Sequence, residues 1–331
     1  MKKVVVLLLT IGLVLVSAVA MAKNPIVMSL SYGGADGSEE DIAAKKFEQL
    51  LEERTKGKID VVLFGNEQLG KEVDVVTSLE LGTVNMAIMG ATVHQQAAPE
   101  YNIWSAYYIF KNRDEVLQIM NGPVGEKVSE AMLKNKGIRM LGIGLRGPRN
   151  LTSHRPIRTP EEVKGLKIRI PLQPIYVRSW EALGAKPQAI AYGELYTALK
   201  QGIVEAQENP LAYIYAPAFY EVQKYVNVTE HQRSFFTYVV SEKFFQRLDQ
   251  GLQQILLEVA QETCDFHNNL QKAKEADWKN RLEEKGMVFV QADQAAFRKA
   301  LQDIPQQFAD KWAPGFYQEI LSELSKIRKG N

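Results

Sequence analysis

Cysteine is nearly absent from this chain. Cys264 is the only one in 331 residues, so no intramolecular disulfide can form and stability must come from packing. It falls among apolar positions at helical spacing, where a buried thiol is expected rather than a nucleophile. Histidine is scarce as well. His94, His154, His231 and His267 show no metal-ligand spacing, and His154, near Arg149 and Arg155, reads as a surface loop residue. No Walker loop occurs, and the glycines after the first strand lack the Gly-x-Gly-x-x-Gly spacing, which excludes the common nucleotide cradles. No Gly-x-Ser-x-Gly elbow is present either. Neither sign of charge dominates: 40 Lys and Arg face 39 Asp and Glu. Setting aside Lys2 and Lys3 leaves 38 against 39, a balance that argues against a nucleic-acid surface. Beyond residue 22 there is no long apolar run.

The N-terminus itself reads as an export signal. Lys2 and Lys3 precede an apolar stretch from Val4 to Val16 that only Thr10 and Gly12 interrupt. Ala18-Val19-Ala20 and Ala20-Met21-Ala22 both offer small residues to a signal peptidase, and cleavage after Ala22 is the expectation. An uncleaved anchor is the alternative, since the run approaches spanning length. No cysteine follows it, so no lipid anchor is expected. The mature chain, about 309 residues, suffices for two domains with separate cores.

Strands and helices alternate. Residues 26–30, 59–64 and 84–89 read as strands, with helices over 38–57 and 73–81 between them. Ser38 is the expected N-cap of the first helix, with Asp41 in the capping-box position. This β-α-β-α-β start implies a parallel sheet with helices on its faces. The pattern restarts after residues 138–145. Strands are expected at 149–153, 167–170, 188–192 and 203–206, and helices from Thr159-Pro160-Glu161-Glu162, over 176–183 and over 195–200. A join near Arg146–Gly147 suggests two lobes with a cleft between them. Apolar positions from Leu252 to Leu270, continuing past Trp278 to Glu284, predict a helix too long for one small lobe, one that could lie across both.

Lys164-Gly165-Leu166-Lys167-Ile168-Arg169-Ile170-Pro171 puts an arginine on a short apolar strand that ends in proline. Arg149 precedes it, and Glu208-Asn209-Pro210 follows. A strand-borne guanidinium is pre-aimed and can pair with a carboxylate bidentately, although a structural salt bridge uses the same residue type. Open α/β sheets bind ligands beyond the C-terminal ends of their strands, where Arg169 and Asn209 are expected. The loop from Tyr32 to Ser38 and the segment Gly90-Ala91-Thr92 occupy comparable positions; the former is also a plain strand-to-helix turn. Tyr192 follows a strand and is either a pocket wall or a core aromatic. Gln173 and Thr92 add neutral polar groups.

These residues carry a resemblance. Gly57-Lys58-Ile59, Gln68-Leu69-Gly70, Gly147-Pro148-Arg149, the 164–171 block, Leu183-Gly184-Ala185, Glu194-Leu195-Tyr196, Gln207 to Pro210 and Phe219 to Lys224 resemble the periplasmic solute-binding proteins of tripartite ATP-independent (TRAP) transporters, the DctP-type family. The resemblance implies an α/β, two-lobed binding protein with a long C-terminal helix across both lobes. Its first lobe would comprise residues 23–146 and 235–274, its second 147–234 and 275–331. Such a protein closes on an organic anion in the periplasm and hands it to a membrane permease, without cofactor, as a monomer. Arg169 matches the arginine that clamps the ligand carboxylate, and Arg149 resembles a second one that contacts ligand in sialic-acid-binding members. Asn209 matches the pocket asparagine and Tyr192 a pocket aromatic.

Two departures matter. Sialic-acid-type members carry an acid in the loop after the third strand, where this chain has Met89-Gly90-Ala91-Thr92. Members that bind 2-oxo acids through a metal have Glu-Trp where this chain has Asn209-Pro210, so no metal is expected. Arg169 and Arg149 beside neutral Asn209, Tyr192, Tyr32, Thr92 and Gln173 favour a hydroxylated monocarboxylate such as a uronic or aldonic acid. A C4 dicarboxylate is the runner-up, with Arg149 holding the second carboxylate, and the two tyrosines keep an aromatic acid open. An exported α/β enzyme acting on a carboxylate, and a ligand-presenting subunit for a sensor kinase, are the readings from other classes.

Overall fold

The computed structural model describes residues 24–330; the expected export signal, residues 1–22, lies outside them. Nine strands form one mixed sheet: β1 (Ile26–Tyr32), β2 (Ile59–Phe64), β3 (Met86–Met89), β4 (Ile138–Ser153), β5 (Lys167–Ile170), β6 (Lys186–Ala189), β7 (Ala206–Asn209), β8 (Tyr225–Ser241) and β9 (Val288–Gln291). Their order is β2-β1-β3-β8-β4-β7-β5-β6, with β9 beside β8. β1 to β3 pair in parallel, and so do β5 to β7. The antiparallel pair β4 and β8, 16 and 17 residues long, joins the two half-sheets. β3 pairs with the C-terminal half of β8, and β7 with the C-terminal half of β4.

The expected join at Arg146–Gly147 is not a break in the chain, because β4 runs straight through it. What changes there is the register. Leu145 pairs with Phe235 and Pro148 with Arg233, so two residues of β4 face Ser234 alone. Such a bulge locally disrupts the ladder and bends the strand.

The helices are α1 (Glu39–Thr55), α2 (Glu72–Leu81), α3 (Ala91–Ala97), α4 (Arg113–Met120), α5 (Pro123–Lys136), α6 (Pro174–Ala182), α7 (Leu195–Lys200), α8 (Ala212–Tyr215), α9 (Glu242–Phe245), α10 (Gln250–Glu284), α11 (Gln294–Leu301) and α12 (Phe316–Gly330). The two-residue period of the strands sorts side chains to opposite faces. Ala87, Met89, Phe235 and Val239 face α2 to α6, while Met86, Ile88, Phe236 and Tyr238 face α1, α9 and α10. The first face carries one core that continues from Val75 of α2 to Trp180 of α6, shared by both half-sheets. The expectation of two separate cores therefore holds only on the second face. There Phe47 and Leu51 anchor one cluster, and Leu195, Phe219 and Leu282 another. Each fully buried Phe or Leu contributes about 1.5–3 kcal/mol.

α10 opens on an Asp249 cap, whose side chain accepts from the Leu252 amide at 2.9 Å. Its 35 residues span about 50 Å at 1.5 Å per residue. Leu252 to Cys264 pack in the first back cluster and Leu282 in the second, so the helix ties the two lobes together. Glycines let it approach β4: a Cβ at Gly144 would stand 2.5 Å from the His267 ring, and one at Gly142 2.8 Å from the Cys264 sulfur. The helix expected from Thr159 is a single 3-10 turn, Pro160–Val163, which Gly165 at φ +79° ends. β6 starts two residues earlier than expected, so Tyr192 opens a short turn after it.

Candidate functional site

Where the parallel strands of both half-sheets end, the structure forms a half-open cavity of about 340 Å³. Arg169 reaches it from β5 and Asn209 from the last position of β7. Arg169 is buried, and its Nε donates to the Ile190 carbonyl at 2.7 Å, which fixes the plane of the guanidinium. It forms no ion pair among the described residues. Burial pushes its pKa down to about 10; Glu208 opposes that shift and Arg149 adds to it. The group stays cationic at neutral pH and is held without a neutralising carboxylate.

Arg149 also borders the cavity, but its charge is already engaged. Its Nε and Nη2 donate to the Glu208 carboxylate, the latter at 2.6 Å, and Nη2 also donates to the Glu208 carbonyl at 2.6 Å. His231 Nε2 lies 2.9 Å from the same carboxylate, and its Nδ1 meets the Thr229 hydroxyl at 2.9 Å. Burial disfavours charge on Glu208, yet Arg149 and His231 outweigh it and hold its pKa down to about 2. Burial lowers the pKa of His231, so the neutral ring donates from Nε2. Arg149 is thus the cation of a buried ion pair, and the idea that it holds a second ligand carboxylate loses its free charge.

Asn209 Nδ2 donates to Gln207 Oε1 at 2.7 Å, while its own carbonyl oxygen accepts no bond from the described residues. Tyr192 borders the cavity with its ring and donates its hydroxyl to the Tyr213 carbonyl at 3.1 Å. Thr92 borders it too, its hydroxyl donating to Glu72. Two expected residues are placed elsewhere. Tyr32 follows Met28 and Leu30 on the strand face that packs on α1, and its hydroxyl donates to Asp41 at 2.8 Å. Gln173 precedes α6 with a fully buried side chain that accepts from Asn102 at 3.1 Å, so Leu172 meets the cavity instead. The first turn of α1 supplies its own acids, Glu39, Glu40 and Asp41, which removes the anion site suggested for the loop before it.

Five of the seven side chains singled out in the sequence border the cavity, and others were missed. Arg146, Glu40, Glu67, Glu72 and Tyr213 also border the cavity. Glu72 accepts from the Gly90 amide at 2.8 Å, so the loop after β3 does face an acid, one brought by α2 rather than by the loop. Glu67 accepts from the Gly193 amide at 3.0 Å, and Lys71 pairs with Glu194 at 2.6 Å, which links the two half-sheets across the mouth. Among the described residues no histidine or cysteine borders the cavity. Among the described residues no His, Cys, Asp and Glu cluster is arranged to hold a metal.

Residues 30–311 match the family described as DctP, bacterial extracellular solute-binding protein, family 7. The chain belongs to this family. A relative from Roseobacter denitrificans, the solute-binding protein RD1_1052, is 36% identical over 289 residues, covering 87% of this chain and 88% of the relative. Its solved structure, a TRAP periplasmic solute-binding protein with bound L-galactonate, superposes with a TM-score of 0.86 at 33% identity, covering 92% of this chain and 100% of that one. The Escherichia coli 2,3-diketo-L-gulonate-binding periplasmic protein YiaO is 29% identical, covering 92% of this chain and 96% of the relative. A TRAP solute-binding protein from Sulfitobacter with bound β-D-galacturonate gives a TM-score of 0.85 at 25% identity, covering 89% of this chain and 98% of that chain. The two-lobed architecture with a long helix across both lobes is that of these TRAP solute-binding proteins.

Proposed function

We propose that this family 7 protein captures a hydroxylated monocarboxylate, an aldonic or uronic acid, and delivers it to a TRAP membrane permease. One observation carries the reading. Of the two arginines singled out in the sequence, Arg149 is neutralised by Glu208, whereas Arg169 faces the cavity with no acid paired to it. A ligand carboxylate supplies the missing anion, and Asn209 and Tyr192 flank it. The sugar acids bound by the Roseobacter and Sulfitobacter proteins, and the one named for YiaO, support the class. The protein acts as a monomer in the periplasm after cleavage behind Ala22, and it is a carrier rather than an enzyme; ligand recovered from it is chemically unaltered.

The lobes we assign are residues 23–146 with 235–274, and 147–234 with 275–331. They close about the bulge at Arg146–Gly147 and the facing Ser234. The mouth contacts of Glu67 and Lys71 with Gly193 and Glu194 suit a closed form.

A thermal-shift panel tests the class. A ligand at one hundred times its dissociation constant stabilises the folded state by about 2.7 kcal/mol. L-Galactonate or D-galacturonate is expected to raise the melting temperature. If succinate, malate or fumarate does so and no sugar acid does, the dicarboxylate reading replaces this one.

A further inference from the structure

Arg146 brings a third guanidinium to the cavity, beside Arg149 and Arg169. Its Cζ lies 4.2 Å from the centre of the Tyr213 ring and 4.3 Å from that of Phe236, so the group is held against aromatic surface. Its Nε is buried and has no partner. It forms no ion pair among the described residues. Glu40 is buried and borders the same cavity; burial pushes its pKa up to about 8, with the Arg146 charge opposing that shift. Glu40 is itself held in place, accepting from the Tyr213 hydroxyl at 3.1 Å and the Gly33 amide at 3.3 Å. Arg146 and Glu40 therefore face one space without touching across it.

We propose that Arg146 and Glu40 form a hydroxyl-reading subsite for the far end of the ligand, and so set its length and class. This rests on the reading that Arg169 takes the carboxylate. Arg146 can only donate hydrogen bonds, and Glu40 offers acceptor oxygens. A ligand hydroxyl satisfies both at once, accepting from the guanidinium and donating to the carboxyl oxygen. A second carboxylate fits poorly, because Glu40, Glu67 and Glu72 border the cavity together, and the repulsion of Glu72 on the other two already opposes further negative charge there. The subsite thus selects a polyhydroxy monocarboxylate over the dicarboxylate of equal length.

The test is calorimetric titration of wild type, Arg146→Met and Glu40→Gln with three acids. L-Galactonate carries the full hydroxyl chain, D-glycerate a truncated one, and galactarate a carboxylate at each end. Wild type is expected to bind L-galactonate at least tenfold more tightly than either of the others. Relative to D-glycerate, the affinity for L-galactonate is expected to fall roughly ten- to a hundredfold further in Arg146→Met, the loss typical of a hydrogen bond to a charged group, and about two- to tenfold further in Glu40→Gln, the loss typical of a neutral one. The ratio between two acids on one sample is insensitive to a misfolded fraction. Equal losses for both acids, or no loss, overturn the subsite while leaving Arg169 its role. Tighter binding of galactarate than of L-galactonate by wild type overturns the hydroxyl assignment. If wild type binds none of the three, the sugar-acid reading falls and the subsite with it.

Discussion

Arg149 and Arg169 carry the same charge on neighbouring parts of one sheet, yet their surroundings give them different work. Arg149 and Glu208 are both buried, and removing one partner strands the other. Arg149→Met is therefore expected to lower the unfolding free energy by about 3–5 kcal/mol, read from denaturant midpoints. A loss under about 1 kcal/mol contradicts a structural pair. The pair also sets a pH dependence. Glu208 has its pKa depressed in the folded state, from 4.5 to about 2. Its contribution is full above pH 4.5 and is lost as pH falls from there toward about 2. The Arg149→Met, Glu208→Gln double variant should lose that part of the acid slope, and an unchanged slope argues against it. At this scale the sequence carried Arg169 plainly, because its strand-end position follows from the apolar pattern, while Asn209 stood out by its place before Pro210 and by the resemblance. Glu40 was hidden in the run Glu39-Glu40-Asp41, which looks like any first turn that complements a helix dipole. Arg146 was hidden by its place beside the suspected join.

Elements were legible where burial alternates with the period of the structure. β1, α1 and the long α10 follow apolar spacing, and the structure has them close to the expected bounds. β7 was misplaced for a physical reason. Its residues, Ala206-Gln207-Glu208-Asn209, are mostly polar but all buried, satisfied by Thr152, Arg149 and one another, so no hydrophobic signal marks the strand. β6 is an edge strand with mostly exposed side chains, and its two-residue shift has the same cause. Helices α3 to α5 lie where the strand–helix alternation gives no guidance. Glycine content was uninformative from sequence, but Gly144 proves to be a contact point. His267 is buried and its Nδ1 is bonded to the Tyr238 hydroxyl at 2.8 Å, so it has little freedom to yield. Gly144→Ala is expected to destabilise the protein by about 1–3 kcal/mol through overpacking of α10 against β4, measured by thermal and denaturant unfolding. An unaltered melting temperature contradicts so close a contact.

At the scale of the whole molecule, two half-sheets hang on one pair of long strands, and a single helix braces them behind. The alternation of strands and helices announced the two halves. It did not announce that they share one core on the other face, since the pairing of β4 with β8 is long-range and no local pattern reports it. That construction leaves the cavity between the halves, with Arg169 as a strand-borne cation that lacks an anion. The direct test is native mass spectrometry of gently purified wild type and Arg169→Ala. Wild type is expected to retain one unaltered hydroxylated monocarboxylic acid. Arg169→Ala should retain none, since two lost charge-assisted bonds at about 1.5–3 kcal/mol each weaken binding at least a hundredfold. The account is contradicted if the variant holds the same acid as fully as wild type does, or if wild type holds a dicarboxylate instead.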